Sequence, residues 1–78
     1  MNEKRKQLLN ELETLGERSD LWHEDFWITR HPIGGYTVVS VKRNCTEYFS
    51  NAQRVVDFLS KYDKSLGKIL YEVGLNHG

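Results

Sequence analysis

The segment from residue 26 to residue 41, FWITRHPIGGYTVVSV, constrains the fold most, because it carries a strong β-hairpin signal. Two runs rich in β-branched and aromatic residues flank Gly34-Gly35, and glycine reaches the positive φ angles that two-residue hairpin turns need. If these two glycines form the whole turn, the pairing of every strand residue follows. The alternative is a four-residue turn over residues 32–35, and a slip of one residue would exchange all side-chain facings.

The two-glycine turn divides the side chains of both strands between two sheet faces. One face, which we expect helices to cover, holds Phe26, Ile28, Val39 and Val41. The opposite face is expected to stay exposed, and its larger side chains are Trp27, His31, Ile33, Tyr36 and Val38. Trp27 then lies opposite Lys42, which predicts a cation–π contact.

Pro32 has no N–H group to donate, so the strand around residues 25–33 is predicted to be an edge strand and the strand around 35–43 a more central one. A polar connection over residues 17–25 precedes it. Trp22, within that connection, is expected to cover the open end of the core.

Residues 2–15 are predicted to form a helix, with Asn2 as its N-cap and Gly16 as the stop after its last turn. Its apolar stripe at helical spacing is Leu8, Leu9, Leu12 and Leu15. The adjacent basic residues are expected only to solvate the exposed side of this helix. These are Lys4, Arg5 and Lys6.

A turn at Arg43-Asn44 leads into a predicted third strand over residues 45–49. The hairpin register places Tyr48 beside Val39 on the helix-covered face. Phe49 then lies on the exposed face, or it packs at the start of the following helix.

The motif Ser50-Asn51-Ala52-Gln53 fits a capping box, with Ser50 as the N-cap. Apolar residues then keep a steady helical phase as far as Val73. Two interpretations remain open. The segment forms one helix of about residues 51–73, or two helices that break near residues 62–65, with Asp63 capping the second.

These elements predict a single α+β domain over residues 1–78. It has two layers, with an N-terminal helix, a three-stranded antiparallel sheet, and one long or two short C-terminal helices on one sheet face. This chain resembles the double-stranded RNA-binding domain only in the order of its helices and strands. Those domains carry a lysine-rich start of the final helix, and residues 50–54, SNAQR, differ from that pattern.

Composition excludes several functions. Lysine and arginine together number 11, as do aspartate and glutamate, and this balance argues against a general nucleic-acid binder. The single cysteine, Cys45, excludes an internal disulfide and a CxxC zinc site. No apolar run has the length of a signal peptide or a membrane span, so we expect a cytoplasmic protein without membrane contact.

No catalytic or metal-binding constellation is evident in the sequence. His23, Glu24 and Asp25 are consecutive, and consecutive strand residues point to alternate faces, so we expect them not to converge on a metal ion. Cys45 paired with a histidine would be a nucleophile pair, but no base and orienting group can be assigned to it. We therefore predict no metal, no cofactor and no enzymatic activity.

The exposed aromatic face is the strongest functional candidate. It has the aromatic-rich composition of protein interfaces and predicts a small binding or regulatory module of the inhibitor or adaptor type. The expected partner-binding residues are Trp27, His31, Tyr36, Val38 and Lys42. The partner is an unidentified protein or a second copy of the chain.

Two other interpretations of this face remain. In the first, the face binds nucleic acid by base stacking, with Arg30, Lys42 and Arg43 near the phosphates. In the second, the C-terminal helical segment covers the face and makes it part of the core.

Overall fold

A four-stranded antiparallel sheet forms the centre of the fold in the computed structural model, which describes residues 2–67. The elements in chain order are α1 (Glu3–Glu13), β1 (Asp20–His23), β2 (Phe26–Arg30), β3 (Tyr36–Ser40), β4 (Cys45–Phe49), α2 (Ala52–Leu59) and a short 3-10 helix (Lys64–Leu66). The strands follow one another in the order β1-β2-β3-β4, and the helices pack on one sheet face. The predicted two-layer α+β fold is confirmed, with four strands instead of three.

The additional strand, β1, comes from the stretch that the sequence indicated as a polar connection. His23 pairs with Phe26 across a two-residue turn of Glu24 and Asp25, and Glu24 has a φ of 54°. Because β1 pairs with one side of β2 and β3 with the other, β2 is a central strand, not the predicted edge. The fourth strand also removes the likeness in element order to the double-stranded RNA-binding domain.

The β2–β3 turn contains three residues, where the sequence suggested two or four. The N–H of His31 donates to the carbonyl of Gly35 at 3.0 Å, and the N–H of Gly34 donates to the carbonyl of His31 at 3.1 Å. Pro32 lies at the second position of this tight turn, which suits its fixed φ, and Gly34 supplies the positive φ of 102° that ends it. Pro32 is thereby outside the strand, so its missing N–H costs no sheet hydrogen bond.

This turn shifts the strand register by an odd number of residues and inverts the predicted facing of β3. Trp27 pairs with Val39, not with Lys42, and Ile28 pairs with Val38. Tyr36 and Val38 therefore lie beneath the helices, and Val41, predicted to be covered, is 92% exposed. The predicted facing of β2 is correct, since Phe26 and Ile28 are buried.

Helix α1 begins as predicted, because the Asn2 side chain accepts a hydrogen bond from the Arg5 N–H at 3.1 Å. It ends at Glu13, with Thr14 as the C-cap, so Gly16 does not stop it. The basic residues at its start do more than solvate it. Arg5 is buried, and its guanidinium bonds the Asp57 carboxylate and the Leu66 carbonyl.

Strand β4 has its predicted bounds, and the Asn44 turn before it has the expected positive φ of 52°. The inverted register exchanges the facings of its last two residues. Tyr48 pairs with Thr37 on the face opposite the core, and Phe49 pairs with Tyr36 on the inner face and packs against Phe58.

Helix α2 is capped by Asn51, which accepts from the Arg54 N–H at 3.0 Å, and not by Ser50. It ends at Leu59, and Asp63 then caps the 3-10 helix by accepting from the Ser65 N–H. The helical segment is therefore broken near the residues that the two-helix interpretation named. Its continuation through Val73 lies outside the described residues.

The core lies between the helices and the inner sheet face. Its buried apolar residues are Leu8, Leu12, Phe26, Ile28, Tyr36, Val38, Ala52, Val55, Val56, Leu59 and Leu66. The Tyr36 hydroxyl reaches across this core and donates to the Leu12 carbonyl at 2.8 Å. One face of the sheet thus contributes to the core, and the helices of residues 2–67 lie on that side.

Candidate functional site

The sheet face opposite the helices is the main candidate site, and the strand register defines its residues. Two cross-strand rows cover it: Trp22, Trp27, Val39 and Thr46 form the first, and Asp20, Thr29, Thr37 and Tyr48 form the second. We call these eight residues the outer face. Within residues 2–67, no helix packs against this face.

Two stacked tryptophans dominate the outer face. The Trp22 and Trp27 rings lie with their centroids 6.0 Å apart and an interplanar angle of 14°. Trp22 is 64% exposed and Trp27 39% exposed. The Trp27 indole N–H donates to the Asp20 carboxylate at 2.9 Å, which fixes the orientation of its ring. The pair is a broad, preorganised apolar surface in contact with solvent.

The other end of the outer face is ordered around His31. Its Nε2 atom hydrogen-bonds the Thr37 hydroxyl, and its ring lies 5.7 Å from the Tyr48 ring. The Tyr48 hydroxyl donates to the Gly34 carbonyl at 3.3 Å, so this ring extends over the β2–β3 turn. Tyr48 remains 59% exposed.

The outer face carries little charge. Of its eight residues, all within the described part of the chain, Asp20 is the one with a formal charge. Arg30 points to the helix side, where it donates to the Glu13 and Leu15 carbonyls. Arg43 pairs with Asp25 at 3.0 Å and lies 4.7 Å from the centre of the Tyr62 ring.

The structure therefore divides the predicted partner-binding residues between different environments. Trp27 and His31 lie on or beside the outer face, as predicted. Tyr36 and Val38 are core residues, 5% and 0% exposed, and their predicted exposure is wrong. Lys42 is exposed in the β3–β4 turn, away from Trp27 in the sheet register.

The prediction that Trp22 covers the open end of the core is wrong, because Trp22 is exposed and stacks on Trp27, and sequence reasoning missed it as a site residue. The signal that identifies it is the pair of apolar dipeptides, Leu21-Trp22 and Phe26-Trp27, on either side of a short polar stretch. This pattern is typical of a tight hairpin. It places both tryptophans on one face if the turn has two residues.

A second cluster of polar groups lies at the edge of the helix layer, around Asp63. His23 Nε2 lies 2.7 Å from the Asp63 carboxylate, and Lys4 Nζ lies 3.2 Å from the same oxygen. Hydrogen bonds from Ser65, more than those from His23 and Lys4, hold the pKa of Asp63 well below its usual range, against the opposing effect of burial. The cluster connects α1, β1 and the 3-10 helix.

Three groups of this cluster have the ligand types that metal ions bind. One donor atom each from His23, Glu24 and Asp63 lies within 4.8 Å of the others. The expectation that His23, Glu24 and Asp25 do not converge is wrong for His23 and Glu24, because Glu24 lies in the β1–β2 turn with a φ of 54° and does not continue the strand. The third group, Asp63, is distant in the chain, so the local pattern did not indicate it. Because the Lys4 ammonium and His23 already bond the Asp63 oxygen, the arrangement is an ion-pair network that fastens β1 to the helices.

The features considered for catalysis lie apart from the outer face. Cys45 is half-buried at the start of β4, opposite Ser40. A shallow depression of about 420 Å³ lies between the end of α1 and the start of α2 and contains neither histidine nor cysteine. Gly34 ends the β2–β3 turn and Gly35 pairs with His31, so the two glycines connect strands and do not precede a helix as in a phosphate-binding loop.

Comparison of the chain with protein-family models, with curated proteins and with solved structures finds no match. Within residues 2–67, no helix has both the length and the apolar character required to cross a bilayer.

Proposed function

We propose that this chain is a small cytoplasmic protein-binding module, of the inhibitor or adaptor type, that docks its partner on the outer face. The observation that carries this proposal is the stacked pair Trp22 and Trp27, which is exposed on the sheet face opposite the helices of residues 2–67. Soluble domains rarely leave contiguous apolar patches uncovered unless something binds there. Tryptophan is also among the residues most enriched at the energetic centres of protein interfaces.

The rigidity of the pair supports the same function. Trp27 is held by its stacking on Trp22 and by its hydrogen bond to Asp20, so little side-chain entropy remains to be lost on binding. The exposed area is on central and edge strands of the sheet, not on a loop. A preorganised aromatic anchor on a rigid element is what a binding surface requires.

Nucleic-acid binding by the same face is the weaker candidate. Exposed tryptophans can stack bases, but phosphates need cations beside the stacking surface. Of the three basic residues considered for this role, Arg30 and Arg43 are engaged on the helix side. Lys42 alone is left for phosphate contact.

Site-specific photocrosslinking in cells of the source organism tests the proposal. The photoreactive amino acid p-benzoylphenylalanine replaces Thr46, an exposed outer-face residue, and in a matched control it replaces Glu11, an exposed residue of α1. We expect protein adducts from position 46 and none from position 11.

Three results would contradict the proposal. Adducts that disappear on nuclease treatment would establish the nucleic-acid alternative. Equal adducts from both positions would mean that contact is nonspecific. An absence of adducts at position 46 would mean that the outer face binds no macromolecule in the cell.

A further inference from the structure

The composition of the outer face restricts what kind of partner fits it. The face combines two tryptophans, a tyrosine and a valine with three threonines, and it carries one carboxylate. A strongly acidic partner would find no opposite charge on these eight residues, and a strongly basic one would find only the Asp20 carboxylate. A complementary surface is nearly uncharged and partly apolar, and the outer face itself has these properties.

We infer that the occupant of the outer face is a second copy of this chain, so that two sheets pack face to face in a symmetric dimer. This inference rests on the proposed function and specifies its partner. The two-fold axis runs parallel to the strands, between β2 and β3. Sheets packed in this way lie about 10 Å apart, with their strands within about 30° of each other.

The side-chain sizes along the first row fit this symmetry. The bulky residues, Trp22 and Trp27, lie on β1 and β2, and the smaller ones, Val39 and Thr46, lie on β3 and β4. The two-fold axis exchanges the two halves of the sheet. Trp22 then lies over the partner's Thr46, and Trp27 lies over the partner's Val39, so that large side chains meet small ones.

The second row fits the same symmetry in charge. Asp20 is at its β1 end and Tyr48 at its β4 end, so the axis brings the carboxylate toward the hydroxyl of the partner's Tyr48. Thr29 meets the partner's Thr37 near the axis. No like charges face each other across this interface, and net charge of the whole chain is zero.

The exposed aromatic area of the outer face supplies a little under half of what each partner buries in a standard dimer interface. With about 150–250 Å² for each full aromatic side chain, the exposed parts of Trp22, Trp27 and Tyr48 amount to about 350 Å². A standard interface buries about 800 Å² from each partner. The exposed Thr46 and Val41 and the partly buried Thr29, Thr37 and Val39 add to this area.

The test combines mass and fluorescence, because both tryptophans of the chain lie on the outer face. Sedimentation equilibrium of the purified full-length protein is measured across a concentration series. We expect a change from the 9.2 kDa monomer mass to twice that value as concentration rises. Over the same range, tryptophan emission shifts to the blue and acrylamide quenching falls, because both rings leave solvent.

Two kinds of variant locate the interface. Trp22→Ala is expected to raise the dimer dissociation constant at least about 30-fold, as loss of an interface anchor does. Ile33→Ser removes a 98% exposed apolar side chain in the β2–β3 turn and is the matched control, with no change expected. Far-UV circular dichroism checks that each variant is folded.

Charge pairs make the test independent of any loss of folding. Thr29→Lys and Thr29→Asp each place like charges near the two-fold axis, so each protein alone is expected to remain a monomer. An equimolar mixture of the two is expected to recover twice the monomer mass. Recovery of the dimer requires that position 29 of one copy lies close to position 29 of the other.

The outcomes separate the two proposals. A monomeric mass at all concentrations overturns the dimer, and crosslinks from position 46 to a protein of another mass would still support the binding module. A dimer whose tryptophan emission and quenching do not change overturns the inference as well, because the copies then meet elsewhere, such as at the free edge of β4. A dimer that Trp22→Ala weakens supports both proposals.

Discussion

The two faces of the central sheet come from the same four strands, and both contain large aromatic side chains, yet only one of them is buried. On the inner face, Phe26, Ile28 and Val38 are at most 1% exposed. On the outer face, Trp22 is 64% exposed and Trp27 39% exposed. Neighbouring residues in the chain thus lie in different environments, and the strand register determines which of them is buried and which is exposed.

Polar groups also differ between the two faces. On the inner face, the Tyr36 hydroxyl bonds a helix carbonyl, and the Ser40 hydroxyl donates to Asp25 at 2.6 Å. Among residues 2–67, no buried side-chain nitrogen or oxygen lacks a hydrogen-bond partner. The outer face meets the same requirement through solvent and through the Asp20–Trp27 bond. The polar groups of the inner face are thus satisfied within the fold, whereas the outer face leaves large aromatic side chains exposed.

The largest expected effect tests the β3 register with two adjacent residues. Val38→Asp places an unpaired carboxylate in the core, which costs more than the roughly 5 kcal/mol total stability of a domain this small. It should therefore be unfolded at neutral pH, as measured by circular dichroism. Val39→Asp is the matched control and should stay folded. The opposite result would restore the two-glycine turn, in which Val39 is the inner residue.

This pair of residues also shows the limit of what the sequence predicted. The hairpin, the bounds of β4, the start of α1 and the two-layer arrangement followed from periodicity and turn residues. The facing of β3 did not, because the two-, three- and four-residue turns all use residues that the segment offers. The choice depends on Pro32 and Gly34 acting together in one tight turn.

The candidate site was predicted in part for the same reason. Trp27 and His31 are on β2 or adjoin it, and their facing was correct. Tyr36 and Val38 are on β3 and inherited its wrong facing. The contacts of Arg5 with Asp57 and of His23 with Asp63 join residues 52 and 40 positions apart, so no local pattern in the sequence reveals them.

The second-largest effect is expected at Arg5, the buried cation of helix α1. Arg5→Leu leaves the Asp57 carboxylate without its main partner and should lower the free energy of unfolding by about 3 kcal/mol in urea denaturation. Lys6→Ala, at an exposed neighbour, should change it by less than about 0.5 kcal/mol. The double variant Arg5→Leu/Asp57→Leu should recover most of the loss. A double variant no more stable than Arg5→Leu would show that packing, not charge, accounts for the effect.

A smaller effect is expected at the β2–β3 turn. Gly35 has a φ of 88°, and a Cβ there would clash with the Tyr48 ring. Gly35→Ala should therefore cost about 2 kcal/mol, and Gly34→Ala, which has a positive φ but open space, about 1 kcal/mol. Thermal and urea unfolding measure both values. Equal losses would mean that Tyr48 does not pack over this turn.

Acid should weaken the fold through the cluster around Asp63. The pKa of Asp63 is lowered in the folded state, chiefly by its hydrogen bonds with Ser65, so its stabilising contribution is complete above the unfolded value near 4 and is lost as pH falls below it. Between pH 5 and pH 2, the free energy of unfolding should fall by about 1 kcal/mol more in the wild type than in Asp63→Asn. The difference is this small because solvent partly screens the interactions of the Asp63 carboxylate. Urea unfolding at each pH measures this difference.

A second carboxylate titrates in the same range and must be controlled. The hydrogen bond from Ser40 lowers the pKa of Asp25, so Asp25→Asn should also flatten the acid dependence. The double variant should be flatter than either single one. If Asp63→Asn retains the full acid dependence of the wild type, the cluster around Asp63 does not stabilise the fold.

The smallest effect on the monomer is expected at the outer face. At concentrations where the chain is monomeric, Trp22→Ala should change the free energy of unfolding by less than about 1 kcal/mol, because most of this side chain is already in solvent. At higher concentrations the wild type should become more stable, since an association that only the folded state makes raises the melting temperature by mass action. Trp22→Ala should show no such rise. A large loss in the dilute monomer would mean that Trp22 belongs to the core, and the two faces would then differ less than their exposure indicates.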